Sequence, residues 1–470
     1  MEKFNAGVRK RKKTSTILFF PYLCPLNFHN NLNVTTAQTT ESKRIIRGWV
    51  LYDWANSVYQ LTIASAIFPV YYNQLTRSDG SDLVSFFGFA ERNSVLYSWA
   101  MAAAYLLIAI FSPLLSSLAD YTGRRKLFME IFTWIGALSC GVLFFFTSKD
   151  LAWLGLLAFA LGTLGYGGSI VFYNSFLPVI AKPEDQDKIS ARGYAMGYLG
   201  GVVLLLFNLS MILKPEWFGL QNDSMPARIS FLTVFVWWIG FAQITFRCLP
   251  KYTFGRTQKE GNIFWHGYLE LQKVYLVVKQ SRKLSFYLIG FFFMMMGLLT
   301  VMFMAAVYGE KELKLSAEFL IATILIIQLI GMAGSWLFAR LSGKIGNFRT
   351  LIIGIIGWII VCVWAFYIKG SNGFMGAAVF IGLIMGGTQA LARSTYSKMI
   401  PETTDHTTFF SFYDVMEKLA TVAGTFSFGL IESITGSMRY SVLAISFFFV
   451  ISLFFMLVAQ RKSHADKMTQ

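Results

Sequence analysis

Charged residues are scarce in this chain. Only 14% of its 470 residues are Asp, Glu, Lys or Arg, whereas 55% are hydrophobic and 17% aromatic. A soluble domain carries about 25% charged residues, because charge keeps its surface in water. The composition therefore excludes a chain of soluble domains and places most of the residues in a lipid bilayer.

Cysteine and histidine are also rare, with four residues of each, and they form no CxxC pair and no HExxH motif. These absences exclude the usual zinc sites and a disulfide framework. The dipeptide Gly343-Lys344 is followed by Ile345, so it does not complete a phosphate-binding loop. We therefore expect no enzyme activity, no cofactor and no metal. The polar segments are too short for a nucleic-acid-binding domain, so nucleic acid is not an expected partner.

Long apolar runs are what the sequence has in abundance. A bilayer core requires about 20 apolar residues per helix. Twelve runs satisfy this length, at 48–75, 93–119, 127–147, 151–180, 190–213, 228–249, 285–308, 316–340, 349–368, 373–399, 408–432 and 437–459. The pattern predicts an all-α membrane protein of twelve transmembrane helices, in two six-helix halves at 48–250 and 285–460. Duplicated transporter halves have this arrangement.

The basic residues predict the orientation. With the N-terminus inside, 31 of the 41 Lys and Arg residues fall on the inner side and 9 on the outer side. Since cytoplasmic loops are enriched in Lys and Arg, both termini are predicted to be cytoplasmic. We expect a monomer in the bacterial inner membrane.

Three segments lie outside the predicted halves. Residues 1–47 are predicted to be a basic, disordered N-terminus, with a leader peptide as the alternative, and residues 461–470 a cytoplasmic tail. Residues 251–284 are predicted to be a cytoplasmic linker with an amphipathic helix on anionic lipid headgroups, the alternative being a solvated linker. The apolar residues behind that helix prediction are Phe264, Tyr268, Leu271, Tyr275 and Val278.

The turn between the second and third spans resembles the loop signature of the major facilitator superfamily. It contains Asp120, Gly123 and the basic residues Arg124, Arg125 and Lys126. Gly123 permits a tight turn, and Asp120 can bind a helix N-terminus or an arginine as a breakable latch. The corresponding turn of the second half, 339–347, has no acid, because Gly343 stands at that position. The sequence therefore predicts asymmetric gating.

Glycines repeat every four residues along the fifth span, at Gly193, Gly197 and Gly201. Such bare helix faces allow neighbouring helices to approach closely. They predict either static packing or a smooth surface on which one half rocks against the other.

Ionisable and amide side chains inside the spans are the candidate functional residues, because such groups are costly in lipid. We predict substrate contacts, proton coupling and gating at three sets of positions. The substrate-binding candidates are Asn56, Tyr59, Gln60, Tyr173, Asn174 and Gln389. The proton-coupling candidates are Asp53, Asp414 and Glu417. The gating candidates are Asp120, Gly123, Arg124, Arg125, Arg393 and Lys418.

Structural roles remain open for several of these residues. Asp53 lies near the inner end, where it can stay hydrated, and Arg393 can anchor the helix at the interface. Lys418 can lock helices together with Asp414 and Glu417.

The same segments resemble the autophagy-related vacuolar effluxer family and its bacterial homologues, over residues 45–460. The matching strings are Tyr52-Asp53-Trp54-Ala55-Asn56-Ser57 before Tyr59, Phe172-Tyr173-Asn174-Ser175-Phe176-Leu177-Pro178, Arg192-Gly193-Tyr194-Ala195-Met196-Gly197-Tyr198-Leu199-Gly200-Gly201, Gly386-Gly387-Thr388-Gln389-Ala390-Leu391-Ala392-Arg393-Ser394, and Phe412-Tyr413-Asp414 before Lys418. The resemblance implies the major facilitator fold and a secondary permease for a small organic solute. Efflux of amino acids is the implied activity.

Two other functions compete with that one. Met295 and Leu299 occupy positions of the seventh span where bacterial relatives tend to be polar, which favours efflux of drugs or other lipophilic compounds. A non-transporting protein that binds a ligand or lipid is the second alternative, although the sequence shows no soluble output domain.

Overall fold

The computed structural model describes residues 34–77, 83–86, 89–220, 224–251 and 263–468. Almost all of them are helical, since a helix satisfies its own backbone hydrogen bonds in lipid. The helices of the N-terminal half are α1 (Val34–Val58), α2 (Phe68–Thr76), α3 (Asn93–Thr122), α4 (Arg125–Leu143), α5 (Ala152–Ser175), α6 (Leu177–Ile180), α7 (Pro183–Leu213) and α8 (Met225–Cys248). Those that follow are α9 (Ile263–Gln280), α10 (Arg282–Lys311), α11 (Ala317–Ile345), α12 (Asn347–Tyr367), α13 (Ser371–Met399), α14 (His406–Thr435) and α15 (Met438–Met468).

Short elements join some of these helices. A π-helical segment, Tyr59–Ile67, connects α1 to α2. Two 3₁₀ turns, Lys149–Leu151 and Pro215–Phe218, precede α5 and follow α7. The strands β1 (Leu83–Phe86) and β2 (Phe89–Arg92) form an antiparallel hairpin before α3.

Ten helical segments within the described residues are long and apolar enough to cross a membrane. They coincide with the predicted spans two to ten and twelve. The first predicted span is divided by the π-helical segment, and the eleventh corresponds to α14, which carries three ionisable residues near its centre. The number twelve therefore stays a prediction, while the all-α membrane fold is confirmed.

The described helices bury two large apolar cores. One contains residues between Trp49 and Leu249, and the other contains residues between Val274 and Ala459. The halves meet along two seams, where α3 packs on α14 and α7 packs on α11. The first and second halves thus fold around separate cores and touch along a limited set of helices.

The segments outside the halves are more helical than predicted. Helix α1 begins at Val34, within the segment predicted to be a disordered N-terminus, and α15 continues to Met468 through most of the predicted C-terminal tail. Extending an existing helix costs far less than starting one. The Arg44 guanidinium also donates to the Arg247 backbone carbonyl, 3.1 Å away, and ties the start of α1 to α8. Residues 1–33 lie outside the described residues.

The linker contains a helix, α9, where the amphipathic helix was predicted. It packs against α3, α10 and α14, with Val274 buried and Leu271 and Val278 partly buried. Tyr268 and Tyr275 are exposed, so part of the predicted apolar face remains on the surface. The side chain of Phe264 lies outside the described set.

The glycines of α7 pack against α1, inside the N-terminal half. A methyl group on Gly200 would lie 2.8 Å from the Trp54 carbonyl oxygen, and one on Gly197 would lie 2.5 Å from the Ser57 hydroxyl. Gly197 and Gly200 therefore pack within the N-terminal half, whereas a methyl group on Gly193 would also lie 2.9 Å from the Arg393 guanidinium of the other half, so static packing and rocking both stay predictions.

Candidate functional site

Polar contacts between the two halves gather toward one end of the bundle. We call this end the basic end and define it by Arg124, Lys126, Lys188 and Lys344. The halves are joined there by an ion pair and two latches, which are built from residues that the sequence separates by more than 150 positions.

The ion pair joins α1 of the first half to α13 of the second. The Arg393 guanidinium lies 3.3 Å from the Asp53 carboxylate, and both side chains are nearly fully buried. The Tyr173 hydroxyl donates to the same carboxylate oxygen at 2.7 Å, and Arg393 also donates to the Asn174 side-chain oxygen at 3.3 Å. Four of the predicted functional residues therefore meet in one cluster.

Further groups hold the Arg393 guanidinium in place. Its Nε donates to the Ser190 hydroxyl and its Nη2 to the Ser190 carbonyl, each at 2.9 Å. The guanidinium carbon lies 4.3 Å from the ring centre of Tyr194 and 4.9 Å from that of Trp49. Cation–π contacts of this kind gain strength when they are removed from water. Removing one partner of such a buried pair costs about 3–5 kcal/mol.

Asp120 forms the first latch. Its carboxylate accepts hydrogen bonds from the Thr407 and Thr408 backbone N–H groups, at 3.2 and 2.7 Å, and from the Thr408 hydroxyl at 2.9 Å. These donors form the first turn of α14, where unpaired N–H groups and the helix dipole favour an anion. Arg125 donates to Asp120 at 2.7 Å and to the Thr404 carbonyl of the other half. Both partners predicted for Asp120, a helix N-terminus and an arginine, are present.

Gly123 ends α3 with a positive φ of 66°, which forms the tight turn expected between the second and third spans. Arg124 is exposed at the start of α4 and lines a surface cavity with Lys126. Arg124 and Arg125 were both predicted to act in gating, but the described contacts of Arg124 differ from those of Arg125.

Asp187 of α7 forms a second latch on the other seam. Its carboxylate lies 2.7 Å from the Lys398 ammonium and accepts from the Asn347 amide at 2.8 Å and from the Ser342 hydroxyl at 2.9 Å. Ser342 and Asn347 belong to the turn that lacks an acid of its own. The opposite half thus supplies a carboxylate to the turn that has none, and asymmetric gating stays a prediction.

A third charged cluster lies within α14. The Lys418 ammonium lies 3.3 Å from the Asp414 carboxylate and 3.0 Å from that of Glu417, and 5.8 Å from the ring centre of Tyr105 on α3. One oxygen of Asp414 is buried and has no hydrogen-bond partner among the residues that the structure describes. Tyr194 lies beside the Asp53–Arg393 pair, with its ring centre 4.3 Å from the Arg393 guanidinium carbon.

The remaining predicted substrate residues are placed separately. Asn56 is fully buried and neither polar atom of its amide has a partner among the described residues. The Tyr59 hydroxyl donates to the Phe159 carbonyl, 3.0 Å away, inside the N-terminal half. Gln60 is half-buried within the π-helical segment, and Gln389 accepts a hydrogen bond from the Tyr198 hydroxyl at 2.7 Å across the two halves.

Sequence reasoning missed Asp187, Ser190 and Tyr194. Ser190 and Tyr194 lie within or beside the string that carries the family resemblance, and this was an available signal. Asp187 lies in a charged segment that the sequence predicts to lie in water. An acid there has no cost in lipid and is therefore not singled out as functional.

Comparison with known proteins identifies the family. The family model described as "Vacuole effluxer Atg22 like" matches residues 41–468. An uncharacterized MFS-type transporter, YxiO of Bacillus subtilis, is 27% identical over 89% of this chain and 95% of its own. Autophagy-related protein 22 of Kluyveromyces lactis is 25% identical over 88% and 92%.

Solved structures show the same fold at low sequence identity. The major facilitator transporter FucP in its outward conformation has a TM-score of 0.67 and 13% identity, covering 89% of this chain and 98% of FucP. A bacterial homologue of the iron transporter ferroportin, in an outward-facing state, has a TM-score of 0.64 and 12% identity, covering 90% and 99%. This chain therefore belongs to the vacuole effluxer Atg22-like family of the major facilitator superfamily and is a multi-pass membrane transporter.

Proposed function

We propose that this chain is a secondary transporter that exports a small organic solute from the cytoplasm by alternating access, with amino acids as the first candidates. The carrying observation is the buried Asp53–Arg393 ion pair, which joins one half to the other. A charge pair at this position can exist in two states, paired or separated. It is therefore suited to a transporter that alternately closes and opens one end.

The basic end is proposed to face the cytoplasm, because cytoplasmic loops are the ones enriched in Lys and Arg. The ion pair and both latches are formed, which supports the proposal that this end is closed and, with the proposed orientation, that the closed end faces the cytoplasm. The bacterial inner membrane remains our proposed location, and a monomer our proposed state.

The substrate is proposed to bind between the Asp53–Arg393 pair and the charged cluster of α14. An amino acid carries one carboxylate and one ammonium, and both clusters contain groups of each sign. Arg393 and Lys418 can receive the carboxylate, while Glu417 can receive the ammonium. Tyr173, Asn174 and Gln389 are proposed to orient the solute, and Asn56, Tyr59 and Gln60 to line its path.

Asp53 is proposed to couple transport to protons. A proton taken up by the carboxylate gives a neutral acid, which no longer balances the charge of Arg393. The guanidinium then loses its counterion in the closed state and becomes available to the substrate carboxylate. Asp414 and Glu417 are proposed to couple protons in the same way. When one of these carboxylates takes up a proton, it no longer balances the charge of Lys418.

The test is uptake into proteoliposomes from a panel of amino acids, sugars and lipophilic cations, with and without a pH gradient. The wild-type protein should move one class of solute, faster with the gradient. Asp53→Asn should lose the gradient-driven component and keep exchange, whereas the exposed Asp150→Asn should behave as wild type. Gradient-driven uptake by Asp53→Asn at the wild-type rate would refute the coupling role, and no movement of any solute would refute the proposed transport of these classes.

Efflux of lipophilic compounds was the main alternative and depended on the apolar seventh span. Met295 is buried in the core of the C-terminal half, and Leu299 packs against that core. This packing supports a structural role for the two side chains and weakens the reason for favouring a lipophilic substrate. Movement of the lipophilic cations alone would restore that alternative.

A further inference from the structure

The first span contains a π-helical segment, Tyr59–Ile67, in place of a continuous α-helix. Helical turns of this kind are rare and occur frequently at functional sites. The hydrogen-bond pattern is visible where the segment ends, because the Phe68 N–H donates to the Ile63 carbonyl, five residues before it. The Ser65 hydroxyl likewise donates to the carbonyl of Gln60, five residues before it, at 2.8 Å. The segment therefore has a hydrogen-bond register of its own.

Pro69 leaves one carbonyl of this register without a backbone donor. In the π pattern the partner of the Ala64 carbonyl is the N–H of residue 69, and proline has no N–H. The Tyr97 hydroxyl of α3 donates to that carbonyl, at 3.4 Å. In an α pattern the carbonyl that loses its donor would be the one of Ser65, four residues before Pro69. The position of the Tyr97 hydroxyl therefore favours the π register over the α register.

Packing holds the ring of Tyr97 in place. It stacks on Phe159 with ring centres 5.0 Å apart, and its ring centre lies 6.2 Å from those of Phe68 and Tyr72. A side chain that is already fixed by its neighbours loses little further rotamer freedom when it forms a hydrogen bond. Tyr97 is therefore a rigid donor for the π-helical segment.

The register decides which side chains of the segment share a face. Residues five apart are partners in the π pattern, so Gln60 and Ser65 lie one above the other. Gln60 is half-buried and Ser65 is exposed, so this face is not packed into the N-terminal core. Leu61 packs with Ile324 of α11, and the hydrogen bond from Tyr97 reaches the segment from α3. Both α3 and α11 pack across the seams between the two halves.

We propose that Tyr97 is a positioning residue of the transporter. Its hydroxyl holds the first span in the π register, and this register turns Gln60 and Ser65 toward the space between the halves. The inference rests on the proposed function, in which Gln60 lines the path of the solute. Without the hydrogen bond the segment relaxes toward the α register, which changes the directions of both side chains.

A double-mutant cycle tests the hydrogen bond, with equilibrium unfolding of the full-length protein in mixed micelles of dodecyl maltoside and SDS. Tyr97→Phe removes the donor and should lower the folding equilibrium constant about tenfold. Pro69→Ala restores a backbone N–H at residue 69, so Tyr97→Phe in that background should cost about threefold or less. Equal losses in the two backgrounds would overturn the assignment of the register to Tyr97.

Tyr72→Phe is the matched control for the cycle. It removes a tyrosine hydroxyl from the same aromatic cluster, one that is buried and has no hydrogen-bond partner among the described residues. The folding equilibrium constant of this variant should not fall. A loss as large as that of Tyr97→Phe would mean that any hydroxyl of the cluster has this effect, and it would refute the specific role of Tyr97.

Cysteine labelling tests the positioning without a transport assay. Ser65→Cys, in a chain whose native cysteines are replaced, should react with a water-soluble maleimide, because the side chain of residue 65 is exposed. Adding Tyr97→Phe should lower the rate to about half or less, whereas adding Tyr72→Phe should leave it unchanged. An unchanged rate with Tyr97→Phe would mean that the hydroxyl only adds stability. Because labelling does not depend on which solutes move, failure of the proposed function would be distinguished from failure of this inference.

Discussion

The hydrogen bonds of the two latches stabilise the closed state, and the free energy that they contribute can be worked out. Asp120 accepts three hydrogen bonds from the first turn of α14, and Asp187 binds Ser342, Asn347 and Lys398 of the other half. Hydrogen bonds to a charged group contribute about 1.5–3 kcal/mol, against about 1 kcal/mol for neutral ones. Replacing either Asp by Asn keeps the shape and removes the charge. The change should destabilise the closed state by about 2–3 kcal/mol per latch.

These energies convert into populations. At 1.36 kcal/mol per factor of ten, each single variant should raise the ratio of open to closed basic ends by about 30- to 150-fold. The latches lie on different seams and share no partner, so their effects should add. The double variant should therefore shift the ratio by about 10³- to 10⁴-fold.

Spin labels on exposed positions of opposite halves can measure this shift. Cysteines introduced at Glu184 and Lys344, in a chain whose native cysteines are replaced, report the distance between the basic ends of α7 and α11. Wild type should show one short distance, and the double variant should add a longer one. Asp150→Asn, an exposed carboxylate remote from both latches, is the matched control. A double variant with the wild-type distance distribution would refute the latch reasoning.

Two further predictions concern stability. Gly193→Ala should lower the free energy of unfolding by about 1–3 kcal/mol, because its methyl group would overlap the Asp53 carboxylate, whereas Gly240→Ala meets no atom within 4 Å and should be neutral or stabilising. Burial, together with the Arg125 guanidinium, lowers the pKa of His406 to about 4, below its unfolded value of about 6.5. The unfolded chain therefore binds more protons in this range, so stability should fall by about 2 kcal/mol from pH 7 to pH 5. Thermal unfolding at both pH values should show this loss in wild type and a smaller one in His406→Gln; equal losses would contradict the assignment.

Some of the site was readable from the sequence and some was not. Asp53, Tyr173, Asn174 and Arg393 were all identified as functional candidates, because polar groups inside apolar runs are costly. Their meeting in one cluster could not be predicted, since 340 positions separate Asp53 from Arg393. Tyr59 was grouped with substrate residues, but its hydroxyl is bonded inside the N-terminal half.

The sequence alone determined the membrane class, the positions of most spans and the candidate latch acid Asp120. These follow from local properties: the length of an apolar run, the scarcity of charge, and a turn with Gly123 behind an acid. Only the tertiary structure decided which partner each polar residue has. Asp187 shows the reason, because its partners Ser342, Asn347 and Lys398 become neighbours only when α7 packs on α11 and α13. A hydrogen bond depends on distances of about 3 Å, and the packing of the two halves creates those distances.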